Sequence, residues 1–429
     1  MIRILFLICI VSLFACNNHS DIGNAPNINS LAEKYVRLGL VIGQYDPDFV
    51  DAYYGPDSLK PAHAKSIVFP KDSLLNEVNN LISQLGKIAP GNDTVRIRAN
   101  WIRKQLVAFG RRIKIFSGEL KSFDEETKDL FDVQAPVNSE KYFQSLVHSL
   151  DSLLPGKGNV VDRFTNLSHH FLIPADKIDT VIKTALAESR KRTLQHYQLP
   201  PEENFKLEFV TNKPWGGYNW YKGHYQSVIQ INTDLKIFIE RAIDVASHES
   251  YPGHHVYNML LEKNLYRDKG WVEISMYPLF SPTSLIAEGS ANYGIDLAFP
   301  GSDKMNFTRD VLLPLAGMDT TGLDTYFKVL PIKGKLNYVR NEVARGLFSN
   351  SMTEAEALRW LTQYGLSDEA GAAKGLTFIK KYRGYVLNYN YGLDLVRNYI
   401  QRQAGDNEEA RWKAFGKLLS MEVTPEELQ

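Results

Sequence analysis

Three of the chain's ten histidines fall in one run, His248-Glu249-Ser250-Tyr251-Pro252-Gly253-His254-His255, and a later run reads Ala287-Glu288-Gly289-Ser290-Ala291-Asn292-Tyr293. Neutral imidazole nitrogen and carboxylate oxygen are the ligands that zinc takes. A catalytic zinc site keeps three protein ligands and leaves a fourth position for water. A further carboxylate must stand beside that water to accept its proton. The usual device is His-Glu-x-x-His on a helix, with the two ligands one turn apart. Here the spacing is longer and Pro252-Gly253 interrupts it.

Proline removes a helical N–H and clashes with the preceding turn, so the helix is expected to kink or bulge at Pro252. On an unbroken helix His255 would share a face with His248, and His254 would point elsewhere. The proline makes an unbroken helix doubtful, and geometry alone leaves both histidines open as the second ligand.

The elements that must carry these residues are mostly helical. Ser30-Leu31-Ala32-Glu33 has capping-box spacing ahead of Tyr35, Val36 and Leu38. Segments 73–86, 95–117, 139–153 and 176–196 place apolar residues at three- and four-residue intervals. Proline-containing breaks fall near 61–70, 89–92 and 155–158. His169-His170 reads as a helix-end or surface pair. Near residue 205 the character changes. Lys206–Val210 and Ser227–Asn232 read as short strands, and the aromatic, glycine-rich Trp215–Tyr221 as a loop between them. From Asp234 helix resumes through Phe238, Ala242, Val245 and Ala246. The fold class is mainly α: a large helical protein with a small β element just before the key helix.

Apolar residues make up 44% and charged residues 23% of the 429, the balance of a globular chain with a sizeable core. Lys plus Arg and Asp plus Glu both number 49. No basic stripe is interleaved with aromatics, so nucleic acid is not expected as a partner. The two cysteines are Cys9 and Cys16, which excludes a disulfide framework and a cysteine nucleophile in the body. Phosphate-loop, nucleophile-elbow and Rossmann patterns are not found.

Met1-Ile2-Arg3 is a positive start, and Ile4–Phe14 is almost wholly apolar. A permanent span needs about 20 apolar residues, so this run suits the core of a secretory signal. It ends Leu13-Phe14-Ala15-Cys16, which resembles a bacterial lipobox. The resemblance implies cleavage before Cys16, lipidation of that cysteine and a membrane tether in the cell envelope, with a hint of the outer membrane from Asn17. The expected organisation is signal 1–16, tether 17–30, helical region 31–200 and catalytic region 201–429.

His-Glu-x-x-Pro-Gly-His-His followed by Glu-Gly-x-Ala is similar to the bacterial family known as domain of unknown function 885. That family resembles a distant branch of the glutamate-zincin metallopeptidases. Tyr218-Asn219-Trp220-Tyr221, Ile231-Asn232-Thr233-Asp234, Met352–Ala357 and Tyr389-Asn390-Tyr391-Gly392 resemble its other blocks, so the match spans roughly 205–400. Two positions depart from it: Arg383-Gly384 replaces Pro-Gly, and Ser290 replaces an aromatic. The resemblance implies one zinc ion held by His248, His254 and Glu288, with His255 beside them or as the alternative ligand. It implies Glu249 as general base and Tyr389 as donor to a developing oxyanion.

Strand 227–232 is expected as an edge that pairs with an extended peptide, with Asn232 and Tyr251 at the substrate. The expected activity is hydrolysis of a peptide or small amide. Hydrolysis of a non-peptide ester or amide is the alternative in kind. A catalytically silent lipoprotein that binds peptide or glycan is the alternative in class, against which the retained Glu249 speaks.

Overall fold

The computed structural model describes residues 27–88 and 93–429. The lipobox, Cys16 and the break at 89–92 lie outside the described residues. Helices cover Ile28–Tyr45 (α1), Lys71–Leu85 (α2), Asp93–Phe116 (α3), Phe123–Phe131 (α4), Glu140–Leu153 (α5), Val160–His169 (α6) and Ile178–Leu194 (α7). The metal-motif region follows with Ile239–Glu249 (α8), His254–Leu261 (α9) and Pro282–Ala298 (α10). The C-terminal part adds Asp303–Phe307 (α11), Leu313–Ala316 (α12), Leu323–Leu336 (α13), Val339–Phe348 (α14), Glu354–Gln363 (α15), Glu369–Tyr382 (α16), Tyr391–Ala404 (α17), Glu408–Leu418 (α18) and Pro425–Leu428 (α19). The protein is mainly α with a small β element. Among the described residues no helix is long and apolar enough to cross a membrane.

The helices expected from apolar spacing at 73–86, 95–117, 139–153 and 176–196 correspond to α2, α3, α5 and α7. The first helix begins earlier than its capping box suggested. Asn27 is the cap, its Oδ1 accepting from Asn29 N at 2.9 Å, and Ser30 lies inside the first turn. Residues 28–30, expected in the tether, are therefore helical. His169 ends α6 and His170 caps it, both exposed.

Among the described residues five strands form two sheets. Val50–Tyr53 (β1) pairs antiparallel with Met276–Pro278 (β5). Asn204–Val210 (β2), Gly217–Gly223 (β3) and Gln226–Asn232 (β4) form the other sheet in the order β2-β4-β3. Two expectations are corrected here. Trp215–Tyr221 is not a loop throughout: from Gly217 it is β3, because antiparallel pairing with β4 satisfies its backbone and Asn219, Tyr221 and Gly223 alternate inward. The strand at 227–232 is not an edge: β4 is central, paired parallel with β2 on one side and antiparallel with β3 on the other. Both its hydrogen-bonding edges are used, so it has none to offer a peptide.

The core holds the site helices in place. Tyr35 of α1 stacks on Phe109 of α3 at 5.0 Å between ring centres, and Phe49 meets Phe109 edge-on at 4.8 Å. Gln105 of α3 donates to Thr283 of α10 at 2.9 Å. Arg98 of α3 forks onto Glu273, just ahead of β5, at 2.7 and 2.9 Å. This pair is buried, and removing one partner of such a pair costs about 3–5 kcal/mol. Helices α10 and α17 cross at Gly289 and Gly392. A Cβ on Gly289 would meet the Gly392 carbonyl oxygen at 2.3 Å, so main chain touches main chain there.

Glu422 lies against the Arg98–Glu273 pair, 3% exposed. Burial, with the Glu273 charge adding to it, pushes its carboxyl well above the usual range. A carboxyl raised on folding binds its proton more tightly in the native state. Its contribution to stability is complete below the unfolded value of about 4.3 and fades as pH climbs through the raised one. Glu422→Gln keeps the shape without the charge. It is expected to flatten the fall in Tm between pH 5 and pH 8 and to raise Tm at pH 8 by about 2 °C or more, read by thermal denaturation across that pH range.

Candidate metal centre

Helix α8 ends at Glu249 and α9 starts at His254, so the expected interruption at Pro252 is a full break between two helices. The turn Ser250-Tyr251-Pro252-Gly253 folds back over the end of α8, and the Tyr251-Pro252 peptide is cis. Gly253 N donates to Ser247 O at 3.0 Å. A Cβ on Gly253 would sit 1.9 Å from His248 O, so only glycine fits where the chain doubles back. This reversal turns His254 toward His248.

The two imidazoles meet nearly at right angles, with Nε2 of His248 and Nε2 of His254 3.1 Å apart. Glu288, one turn and a half into α10, reaches both. Its Oε2 is 3.2 Å from His248 Nε2 and its Oε1 3.7 Å from His254 Nε2. Ligands on a tetrahedral zinc at about 2.0–2.2 Å stand about 3.3–3.6 Å from one another, and the separations of 3.1, 3.2 and 3.7 Å fall just outside that range on either side. The polar accounting agrees. Tyr385 donates to Glu288 Oε1 at 2.8 Å, whereas the buried Oε2 has no hydrogen-bond partner among the described residues. Asn292 Nδ2 donates to the Tyr389 carbonyl at 3.1 Å, which turns Asn292 Oδ1 to the His248 imidazole at 3.0 Å. Nδ1 of His248 therefore carries the proton and Nε2 presents a lone pair. Burial pushes the His254 imidazole down to about 4 against the opposing charge of Glu288, so that ring is neutral, whereas at His248 burial is outweighed by the carboxylates of Glu288 and Glu249, which raise it. Two imidazole nitrogens and a carboxylate oxygen without a hydrogen-bond partner among the described residues meet here, and the residues present fit a divalent metal ion.

Glu249 completes the group: one of its oxygens lies within 4.8 Å of ligand atoms on both His248 and His254. Burial pushes its carboxyl up to about 7, with the His248 charge opposing. The main-chain oxygen of Glu249 accepts from Asn219 of β3 at 2.7 Å, which fixes the strand against the end of α8. Tyr389 is half-buried, its ring edge-on to that of Tyr385 at 5.7 Å, and its hydroxyl has no hydrogen-bond partner among the described residues. Burial, then the charges of Glu288 and Glu249, pushes this phenol well above its usual range and keeps its proton in place.

Tyr251 and Asn232 lie away from the position expected of them, and His255 lies behind the centre, not among the proposed ligand atoms. His255 is fully buried and faces away from the centre, its Nδ1 2.8 Å from Ser227 Oγ and its Nε2 3.1 Å from Glu203 Oε2. Tyr251, expected at the substrate, is also fully buried, and its hydroxyl donates to Glu203 at 2.5 Å. With Arg190, these donors hold the Glu203 carboxyl at about 2 despite its burial. Asn232 spends its amide on the carbonyls of Lys213 and Trp215, at 2.9 and 3.0 Å, and its Oδ1 on Asp234 N at 3.0 Å. It closes the loop before β3 and has no group left for a substrate.

Several residues here had no role in the sequence reading. Asn292 had a signal, since it follows Glu288 by one helical turn and must share its face. Tyr385 and Glu203 had none beyond residue type. Asp51 of β1 accepts from the Tyr218 hydroxyl, and burial pushes its carboxyl up to about 6. Only the pairing of β1 with β5 brings it near Glu288.

The geometry at Asn292 has a measurable consequence. Asn292→Ala removes the acceptor that fixes the His248 tautomer, and it is expected to weaken zinc binding about 10–100-fold without unfolding the protein. Competition with a chromogenic chelator, beside circular dichroism, checks this. Unchanged affinity would mean that His248 is oriented by other contacts.

No protein-family profile matches the chain, and neither does any curated protein sequence. Three solved structures resemble it. A putative lipoprotein from Colwellia psychrerythraea matches with TM-score 0.50 at 14% identity, over 81% of this chain and 66% of that one. A putative lipoprotein of unknown function from Shewanella oneidensis matches with TM-score 0.44 at 12% identity, over 82% and 73%. Trypanosoma cruzi metallocarboxypeptidase 1 matches with TM-score 0.38 at 12% identity, over 92% and 90%. At these identities the first likeness speaks to the fold alone, and the chain spans slightly less than two thirds of that protein.

Proposed function

We propose that the chain is a zinc-dependent hydrolase acting on peptides, a member of the domain of unknown function 885 group, tethered to the cell envelope through Cys16. The observation that carries this reading is the approach of His248 Nε2, His254 Nε2 and the two carboxylate oxygens of Glu288, at separations of 3.1, 3.2 and 3.7 Å. Glu249 beside that point argues for hydrolysis over simple binding, since a binding site needs no buried carboxyl held at about 7.

His248, His254 and Glu288 would hold the ion. When bound, zinc would supply Lewis acidity toward a substrate carbonyl and toward water. Glu249 takes the proton from the attacking water and returns it to the leaving amine. Tyr389 offers its hydroxyl to the carbonyl oxygen as negative charge gathers there. Asn292 and Tyr385 keep His248 and Glu288 aimed. Asn219 anchors the main chain of Glu249, so the base sits on a fixed carbonyl.

The test is metal content by elemental mass spectrometry on residues 17–429, with zinc supplied and free metal removed. One zinc per chain is expected, reduced at least tenfold in Glu288→Ala. Glu249→Gln is expected to retain the zinc and to lose about 10²–10⁴-fold in peptide hydrolysis. Absence of any transition metal in the unaltered chain would end the hydrolase reading and favour a binding lipoprotein.

A further inference from the structure

The loop 60–70, just ahead of α2, carries apolar side chains outward. At its tip Ile67 is fully exposed and Val68 is 76% exposed. Phe116 at the end of α3 is 42% exposed, and Leu120, four residues on, 55%. These residues adjoin. Phe69 meets Phe116 edge-on at 4.8 Å between ring centres, and Leu120 follows Glu119, whose carboxylate pairs with Lys71. Single apolar residues on a surface are ordinary, whereas a contiguous set marks a contact.

The tip is held in place by the end of α1. Gln44 Nε2 donates to His63 O at 3.0 Å, and Ser66 N donates to the Tyr45 hydroxyl at 3.0 Å. Ser66 Oγ donates to Val68 O at 2.6 Å, so the Tyr45 hydroxyl gives its own proton to Ser66 Oγ, 2.8 Å away. Phe69 sits between Phe116 and Tyr45, whose ring it meets edge-on at 5.3 Å. The loop is ordered before any contact, so little ordering cost is left to meet. The charges around it are positive on balance. Lys65 lies with Nζ 5.9 Å from the centre of the Tyr45 ring and has no ion pair among the described residues. Lys114 in the last turn of α3 has none either. Lys60 pairs with Asp57 and Lys71 with Glu119, and Asp72 begins α2 beside Lys71. An aliphatic tip, aromatic rings behind it and ammonium groups at the rim match the layers of a bilayer surface: acyl boundary, headgroups and phosphates.

We propose that Ile67 and Val68, with Phe116 and Leu120, dip into a lipid bilayer and give the chain a second membrane contact. The inference rests on the tether through Cys16 proposed above. The 18 residues of α1 put Asn27, where the tether joins the body, about 27 Å from the Tyr45 end. The residues between Cys16 and Asn27, numbers 17–26, reach about 33–36 Å when extended. Acyl chains on Cys16 and the tip of the loop can therefore enter the same leaflet. A membrane is favoured over a second copy of the chain because the tether holds the loop within reach of one at all times. A tether alone leaves the body free to swivel, and a second contact fixes which way it faces.

The test uses the acylated chain, purified from membranes and placed in vesicles of phosphatidylethanolamine and phosphatidylglycerol at three to one. Cys9 and Cys16 are the only cysteines, so Val68→Cys gives the mature chain a single free thiol for a fluorophore. Nitroxide-bearing lipid is expected to quench that label and to leave a label at Lys206→Cys, on exposed β2, bright. Ile67→Asp combined with Leu120→Asp should bring the signal at residue 68 to that of the control, with circular dichroism unchanged. Equal quenching at both sites, or quenching that survives the two aspartates, would overturn the inference. An intact mass without acyl chains would refute the tether. Partition of that unacylated chain onto the same vesicles, weakened about tenfold or more by the two aspartates, would then keep the loop contact, and absence of partition would end both. A dimer of residues 17–429 in solution, lost with the two aspartates, would overturn the inference in favour of a second copy.

Discussion

Lone pairs repel, and this structure brings several of them together. Nε2 of His248 and Nε2 of His254 stand 3.1 Å apart, and a carboxylate oxygen with no hydrogen-bond partner among the described residues lies 3.2 Å from the first. Without a cation, these contacts are favourable only where a ring N–H of one histidine is given up to the other nitrogen or to the carboxylate. Everything around the site works against the repulsion. The chain reverses at Gly253 to turn His254 inward, α10 presents Glu288 from a third direction, and Tyr385 and Asn292 hold remaining polar atoms of the proposed ligands Glu288 and His248.

The second ring of contacts extends this restraint into the sheet. The carbonyl of Glu249 is held by Asn219, whose Oδ1 accepts from Ser227, which in turn meets His255. His255 rests on Glu203, together with Tyr251 and Arg190. The chain of hydrogen bonds runs from the proposed base, through two strands, to the residue next to a proposed ligand. His255 thus supports the centre from behind, through a carboxylate with several donors in a buried setting.

Much of this was legible in the sequence because it is local. Apolar spacing marked α2, α3, α5 and α7, and the clustered histidines with the later Glu-Gly run marked the residues that meet. Proline chemistry foretold the break between α8 and α9. What could not be read was partnership. A strand pattern at 227–232 does not reveal how many neighbours it will have, and β4 turned out to be central. Tyr251 sits between ligand candidates in sequence but points into the Glu203 cluster, because the reversal at Gly253 throws adjacent side chains to opposite sides. Asp51 and Tyr385 come to the centre only through the packing of β1 and of the turn before α17. No spacing rule reaches that far.

The crossing of α10 and α17 has a consequence for how such a protein can change over time. Gly289, next to Glu288, meets Gly392 with no side chain between them. Most contacts in a core can drift, since a larger residue on one side is answered by a smaller one on the other. A contact made only of main chain has nothing to trade. Side chains along both helices are free to be replaced while the distance between the helices stays where the backbones put it. The carboxylate of Glu288 therefore inherits its place from a part of the protein that substitution can damage but cannot adjust.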